Sequence, residues 1–169
     1  MIGEAKNSKA TGAQIGIFAA ITPLLLDPAA LAEAVEALAA PFRGVGVTKV
    51  AAIESRGFIL GAPVALALGV GLAIIRKPGK LPAKTSRTEY ELEYGTDVLE
   101  IHADSFRTGD RVAVIDDVLA TGGTAAAAGK LVALAGGQVA GFGFLIELNA
   151  LGGRAKLGAA PVSSVLQYK

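Results

Sequence analysis

The sequence has no cysteine and no tryptophan, a single histidine and only 5% aromatic residues. Without cysteine there is no disulfide framework, no thiolate metal site and no cysteine nucleophile, and the redox compartment is left open. Charge is scarce too. Asp, Glu, Lys and Arg make up 18% of the 169 residues, and the formal net charge is +1. That balance argues against general nucleic-acid binding. No apolar core stands among the first fourteen residues, so residues 1–14 read as a mobile tail rather than a signal peptide. One uncharged run, from Phe58 to Ile75, reaches the lower length of a membrane span. Gly61, Pro63, Gly69 and Gly71 punctuate it. It therefore reads as a buried helix over 58–68, a Gly turn and a core strand over 72–75. The lone His102 falls on an edge-strand pattern over 98–102 and is expected to face solvent, not to act as a base.

Small and branched apolar residues fill the chain instead, at a hydrophobic fraction of 52%. Its length suits one domain, residues 1–169, with a sizeable core. Asp27-Pro28 is a strong helix start, with Asp as N-cap and Pro at the first helical position. Leu31, Ala34, Val35 and Leu38 mark one face of that helix, and Pro41 stops it. Val47 to Ile53, Leu72 to Ile75, Arg111 to Asp116, Gln138 to Ile146 and Val162 to Tyr168 read as strands. Helices follow the first and the third, with Gly136-Gly137 as a C-cap. The order predicts an α/β fold: a mostly parallel sheet with helices on both faces.

The stretch from Val112 to Thr124 carries the chemistry. A β-branched strand ends in Asp116 and Asp117. Ala120, Thr121, Gly122, Gly123 and Thr124 then make a small-residue turn into an alanine-rich helix over about 125–135. Such a turn aims backbone N–H groups and the helix dipole at one point, which suits a phosphate. Paired carboxylates one step upstream suit sugar hydroxyls or Mg²⁺. Either feature alone reads as an ordinary loop, but their order points to a sugar phosphate. Glu54-Ser55-Arg56-Gly57 repeats the strand–turn–helix plan, with an arginine whose fork matches phosphate oxygens. Arg76, Lys77, Lys80, Lys84 and Arg87 fall within twelve positions. They suit a polyanion, or form a solvated basic loop. Thr85 to Asp97 reads as a polar hairpin that could act as a lid.

These stretches resemble the type I phosphoribosyltransferases. The strand, two acids and Ala-Thr-Gly-Gly-Thr match the family's phosphoribosyl-pyrophosphate motif. Glu54-Ser-Arg-Gly-Phe58, Arg76-Lys-Pro-Gly-Lys-Leu-Pro82, Tyr90-Glu-Leu-Glu-Tyr-Gly95 and Leu166-Gln-Tyr168 resemble its adenine branch. The likeness runs from about Phe18 onward. It implies the family's fold with a flexible hairpin lid, and transfer of 5-phosphoribosyl to adenine, giving AMP and pyrophosphate. By resemblance Asp116 and Asp117 hold the ribose and face its developing charge, and Ala120 to Thr124 grip the 5-phosphate. Glu54, Ser55 and Arg56 bind pyrophosphate in a loop where a non-proline cis peptide is common. Arg76, Lys77 and Lys80 reach pyrophosphate too, the arginine across to the neighbouring subunit.

The resemblance also makes Glu93 the proton donor to the departing base nitrogen, with Tyr94 closing over the site and Ile17 and Phe18 meeting the base. Mg²⁺ is implied as cofactor, held mainly through phosphoribosyl pyrophosphate, with no dedicated protein metal cage. A cytoplasmic homodimer is implied, with no nucleic-acid or membrane partner. One segment departs from the pattern: the branch's Phe-Arg-Asp-Ile-Thr reads Phe18-Ala19-Ala20-Ile21-Thr22. Transfer to hypoxanthine, guanine or xanthine, or a non-catalytic sensor on the same fold, stand as alternatives.

Overall fold

The computed structural model describes residues 21–92 and 95–169, and of residues 91, 92 and 95 the backbone alone. The expected tail over 1–14, the base-contacting Ile17 and Phe18, and the lid residues Glu93 and Tyr94 lie outside the described residues. The chain divides into two compact units at Ala34/Val35, a division that falls inside helix α1, Pro28–Ala39. In the first unit, residues 21–26 are helical. The Asp27 carboxylate then accepts the N–H groups of Ala29 at 2.9 Å and Ala30 at 3.1 Å, which is the expected N-cap.

The second unit is built on five strands: β1 (Lys49–Ile53), β2 (Gly71–Ile75), β5 (Arg111–Leu119), β6 (Gln138–Leu148) and β7 (Val162–Tyr168). They form one sheet in the order β2-β1-β5-β6-β7. Every pairing in it is parallel. Continuous apolar runs suit such strands because both faces are covered. Helix α2 (Arg56–Leu68) links β1 to β2, and helix α3 (Gly123–Leu134) links β5 to β6.

Side-chain alternation sorts the two faces. Ala51, Ile53, Val112, Val114, Phe142 and Phe144 join a core cluster with Ala127, Ala128 and Leu131 of α3. On the other face α2 lies so close that a Cβ on Gly61 would meet the Cβ of Ala52. The sheet is thus flanked by helices on both faces, as the pattern of the sequence requires.

Strands β3 (Thr85–Leu92) and β4 (Gly95–His102) form a separate antiparallel pair. The segment over 98–102 is therefore not an edge of the main sheet. It belongs to the hairpin and touches the Arg76 backbone through one bridge to Glu100. His102 pairs with Thr85 at the end of this hairpin and is half-buried, not solvent-facing. The cap after α3 falls on Ala135, with Gly136 at φ +92° just beyond it, one residue off the Gly-Gly expectation. No helix among the described residues is long and apolar enough to cross a membrane.

Candidate functional site

Parallel α/β sheets present ligand-binding loops beyond the carboxyl ends of their strands, and those of the predicted residues that are described stand at or after the carboxyl ends of β1, β2 and β5. Strand β5 runs four residues further than its apolar stretch suggests, to Leu119. Asp116 and Asp117 therefore sit within the strand and not at its end. Asp117 is 4% exposed. Its carboxylate is ion-paired with Nε of Arg56, and its N–H donates to Asp116 Oδ1 at 2.9 Å. Burial pushes the Asp116 carboxyl well above the usual carboxylate range, and the negative charge of Asp117 pushes it further. Gly57 opens the way for this contact: a Cβ there would lie 2.8 Å from Asp116 Oδ1.

After Leu119 the chain turns through Ala120 and Thr121 to Gly122, whose φ of +79° places it in the left-handed region as the N-cap of α3. The helix begins at Gly123, so Gly123 and Thr124 form its first turn, not a preceding loop. The first N–H groups of a helix have no intrahelical partner. Together with the dipole they make this end electropositive.

The loop between β1 and α2 holds a cis peptide at Glu54–Ser55, as the family likeness implies. Ser55 is the exposed N-cap of α2, and Arg56 is that helix's first residue. Glu54 gathers the cationic segment that follows β2. Its carboxylate accepts the Lys77 N–H at 2.8 Å and Arg76 Nε at 3.3 Å, and it is paired with the Lys80 ammonium. Burial pushes the Glu54 carboxyl up, but these cations and the N–H overcome it and hold it below the ordinary value.

The basic segment is not a bare cationic surface. Lys77 pairs with Asp97, and Arg87 Nε lies 2.9 Å from Glu100 Oε2. Arg76, Lys77, Lys80 and Arg87 thus each hold a carboxylate already, and a polyanion has to compete for them. Glu100, 1% exposed, also accepts the Thr85 hydroxyl at 2.8 Å and the Gly79 N–H. Burial raises its pKa, but these donors and Arg87 outweigh burial and leave it lowered.

Sequence reasoning missed Tyr90 as a site residue. Its hydroxyl lies 3.3 Å from Lys77 Nζ, 3.2 Å from Asp97 Oδ2 and 3.5 Å from Thr124 Oγ1. It thereby joins the hairpin, the cationic loop and the first turn of α3. The available signal was the hairpin register, in which Tyr90 stands opposite Asp97. Buried Glu100 and Glu147 were missed as well, because each reads as a surface acid until its donors arrive from distant segments. An open cavity of about 520 Å³, lined by Phe42, Arg43 and Leu68 among others, lies before the amino ends of β1 and β2 and holds none of the predicted residues. Among the described residues no three His, Asp or Glu side chains cluster as a metal cage.

Comparison with known proteins places the scaffold in a family. The family model of the phosphoribosyl transferase domain matches residues 25–159. An adenine phosphoribosyltransferase of Acidothermus cellulolyticus is 55% identical over 151 residues, 89% of this chain and 85% of that one. One from Anaeromyxobacter dehalogenans is 53% identical over 152 residues, 90% of this chain and 88% of that one. The crystal structure of the Rhodothermus marinus adenine phosphoribosyltransferase superposes with a TM-score of 0.85 at 54% identity, covering 88% of this chain and 85% of that one. The Saccharomyces cerevisiae enzyme, solved with an imino-altritol bisphosphate and adenine, gives 0.81 at 40% identity, covering 86% and 84%. A site of paired acids, a Gly-capped helix and a carboxylate-gathered cationic loop thus stands on the scaffold these proteins share, and the chain belongs to the phosphoribosyltransferase family, in its adenine phosphoribosyltransferase branch.

Proposed function

We infer that the chain is a purine-salvage transferase that moves 5-phosphoribosyl from phosphoribosyl pyrophosphate to adenine, giving AMP and pyrophosphate. One observation carries the reading: adjacent Asp116 and Asp117, the latter buried and paired with Arg56, stand on β5 just ahead of the turn into a Gly122-capped helix. An anion site and a hydroxyl-accepting site thus follow one another on the same strand–turn–helix. In this reading Ala120 to Thr124 hold the 5-phosphate. Glu54, Ser55, Arg56, Arg76, Lys77 and Lys80 serve the pyrophosphate. Pyrophosphate competes with Asp117 for the Arg56 guanidinium, so substrate binding frees the Asp117 carboxylate for ribose hydroxyls.

The sugar C1–O bond breaks toward pyrophosphate, and the base nitrogen forms the new bond to C1. Positive charge builds on the ribose ring between these events. Asp116 and Asp117 face it as preorganised negative charge. Glu93 takes the proton the base nitrogen gives up, and returns it in the reverse direction. Tyr94 and the β3–β4 hairpin close over the site and exclude water from the reactive sugar. Ile17 and Phe18 meet the base.

The site suits Mg²⁺ through its donor chemistry. Two adjacent carboxylates, with burial and then the charge of Asp117 raising the Asp116 pKa, favour a cation beside them. The ion would be held mainly through phosphoribosyl pyrophosphate, with Asp116 and Asp117 beside it. When bound, the ion neutralises charge on the leaving group.

The whole chain serves as one domain and pairs as a homodimer. Supporting this are Ile59 and Leu66, exposed on α2, and Leu72, exposed on the edge strand β2. Substrates that are charged metabolites put the enzyme in the cytoplasm. The test is a discontinuous assay with phosphoribosyl pyrophosphate, adenine and Mg²⁺. AMP and pyrophosphate appear in equal amounts, and chelation of Mg²⁺ stops both. Ribose 5-phosphate without AMP would overturn transfer in favour of hydrolysis.

A further inference from the structure

The Gly122 turn does not stand alone. Behind it lies the short 3-10 helix Gly153–Leu157, which no motif of the site includes. The two backbones touch. A Cβ on Gly153 would overlap the Ala120 carbonyl oxygen and lie 2.9 Å from the Gly122 nitrogen. In the other direction, a Cβ on Gly122 would overlap the Gly153 carbonyl group. Only glycine on both sides allows this approach.

The next residue fixes the 3-10 helix in place. Arg154 donates from Nε to Glu147 Oε1 at 2.9 Å and from Nη2 to Glu147 Oε2 at 2.5 Å, a two-pronged pair. Its Nη1 donates to the Val162 carbonyl of β7 at 2.8 Å. Glu147, 4% exposed, also accepts the Ser164 hydroxyl at 2.5 Å. Glu147 stands on β6 in register with Leu119, the last residue of β5. The chain of contacts therefore runs from the sheet through Glu147 and Arg154 to Gly153, and ends against the turn that leaves β5.

We propose that Gly153 and Arg154 are positioning residues for the 5-phosphate: Arg154, locked by Glu147, holds Gly153 as a floor under Ala120 to Gly122, so that the turn's N–H groups converge on the phosphate. This rests on the reading that Ala120 to Thr124 hold the 5-phosphate. Among the described residues, the close backbone contacts of Gly153 are with Ala120 and Gly122, and the Arg154 partners are Glu147, Val162 and Ser164, none of them assigned to pyrophosphate. Loss of the floor therefore acts on one end of the substrate.

The experiment measures inhibition of turnover by ribose 5-phosphate and by pyrophosphate, with KM for phosphoribosyl pyrophosphate and for adenine, in the wild type and three variants. Gly153→Ala is expected to raise the ribose 5-phosphate inhibition constant and the KM for phosphoribosyl pyrophosphate about tenfold, leaving the pyrophosphate constant and the adenine KM in place. Arg154→Lys keeps the charge but loses the fork, and is expected to shift the same two quantities about threefold. It carries the test if Gly153→Ala does not fold. Equal weakening of both inhibitors, or a lowered melting temperature with every constant unmoved, would overturn the proposal by showing a merely structural role. Thr121→Ala separates the two readings. If it weakens ribose 5-phosphate while the other variants do not, the floor fails and the site stands. If Thr121→Ala has no effect either, the 5-phosphate site and the floor both fail.

Discussion

Asp116 occupies a position that folding alone would not select. It is a carboxylate pushed up by burial and by its neighbour Asp117. Replacing it with a neutral isostere should separate stability from activity. Asp116→Asn is expected to lower kcat by about 10²–10³ through lost charge in the transition state. It should raise the melting temperature of the unliganded protein by about 2–4 °C. The sign follows from linkage. A carboxyl raised above its unfolded value of 3.8 costs stability as pH climbs through the folded pKa. The gain in Tm should therefore be larger at pH 8 than at pH 4, by scanning calorimetry. Equal gains at both would contradict the repulsion.

Glu54, Glu100 and Glu147 behave in the opposite sense, since donors hold each below its ordinary 4.5. Their contribution is present above that value and is lost as pH falls through the lowered pKa. Urea midpoints should drop on acidification below about pH 4.5, and Glu100→Gln should flatten that slope. At this scale position was readable where residue type and order mark it, as for Asp116, Asp117 and the Gly-Gly turn at the carboxyl end of β5. Glu100 and Tyr90 were not readable. Their roles come from donors on Gly79, Thr85 and Thr124, which are brought together only by the fold.

Elements are joined at the site by backbone proximity as much as by side chains. The first turn of α2 rests against the end of β5, where a Cβ on Gly57 would lie 2.8 Å from Asp116 Oδ1 and 3.1 Å from the Ile115 carbonyl oxygen. Gly57→Ala is expected to cost about 1–3 kcal/mol of stability by urea denaturation, because neither strand nor helix can yield freely. Turnover should fall more than tenfold, since the displaced atom is a site carboxylate. Near-normal kinetics would show that this contact is not held during the reaction.

The elements themselves were largely legible. The Asp27-Pro28 cap, the α2 and α3 helices and the five parallel strands follow from periodicity and punctuation. The hairpin pairing was legible, but not that its second strand leaves the main sheet. Alternation reports a half-buried strand without naming the partner it pairs with. The boundary of β5 was missed for a related reason. Two acids look like the end of a strand, yet here Arg56 and a backbone N–H satisfy them within it.

At the scale of the whole molecule, the proposed homodimer brings two copies of the chain together. Arg76 lies against Glu54 of its own chain through a 3.3 Å contact, and the proposed dimer sends the arginine toward the neighbouring pyrophosphate. Subunit mixing decides between the two. Arg76→Ala and Asp116→Asn should each be nearly inactive alone. Co-expressed, they should recover about a quarter of wild-type activity, because half the dimers are mixed and each of those has one intact site. No recovery would show that Arg76 serves only its own subunit.

Recognition of the base is assigned to residues outside the described ones, with Ala19-Ala20 where the adenine branch carries Arg-Asp. The most direct measurement is therefore a parallel turnover assay of the purified protein with Mg²⁺ and phosphoribosyl pyrophosphate against adenine, hypoxanthine, guanine, xanthine and uracil. The account predicts rapid AMP formation from adenine and no comparable product from the other four. Turnover with another base alone, or with none, would contradict it.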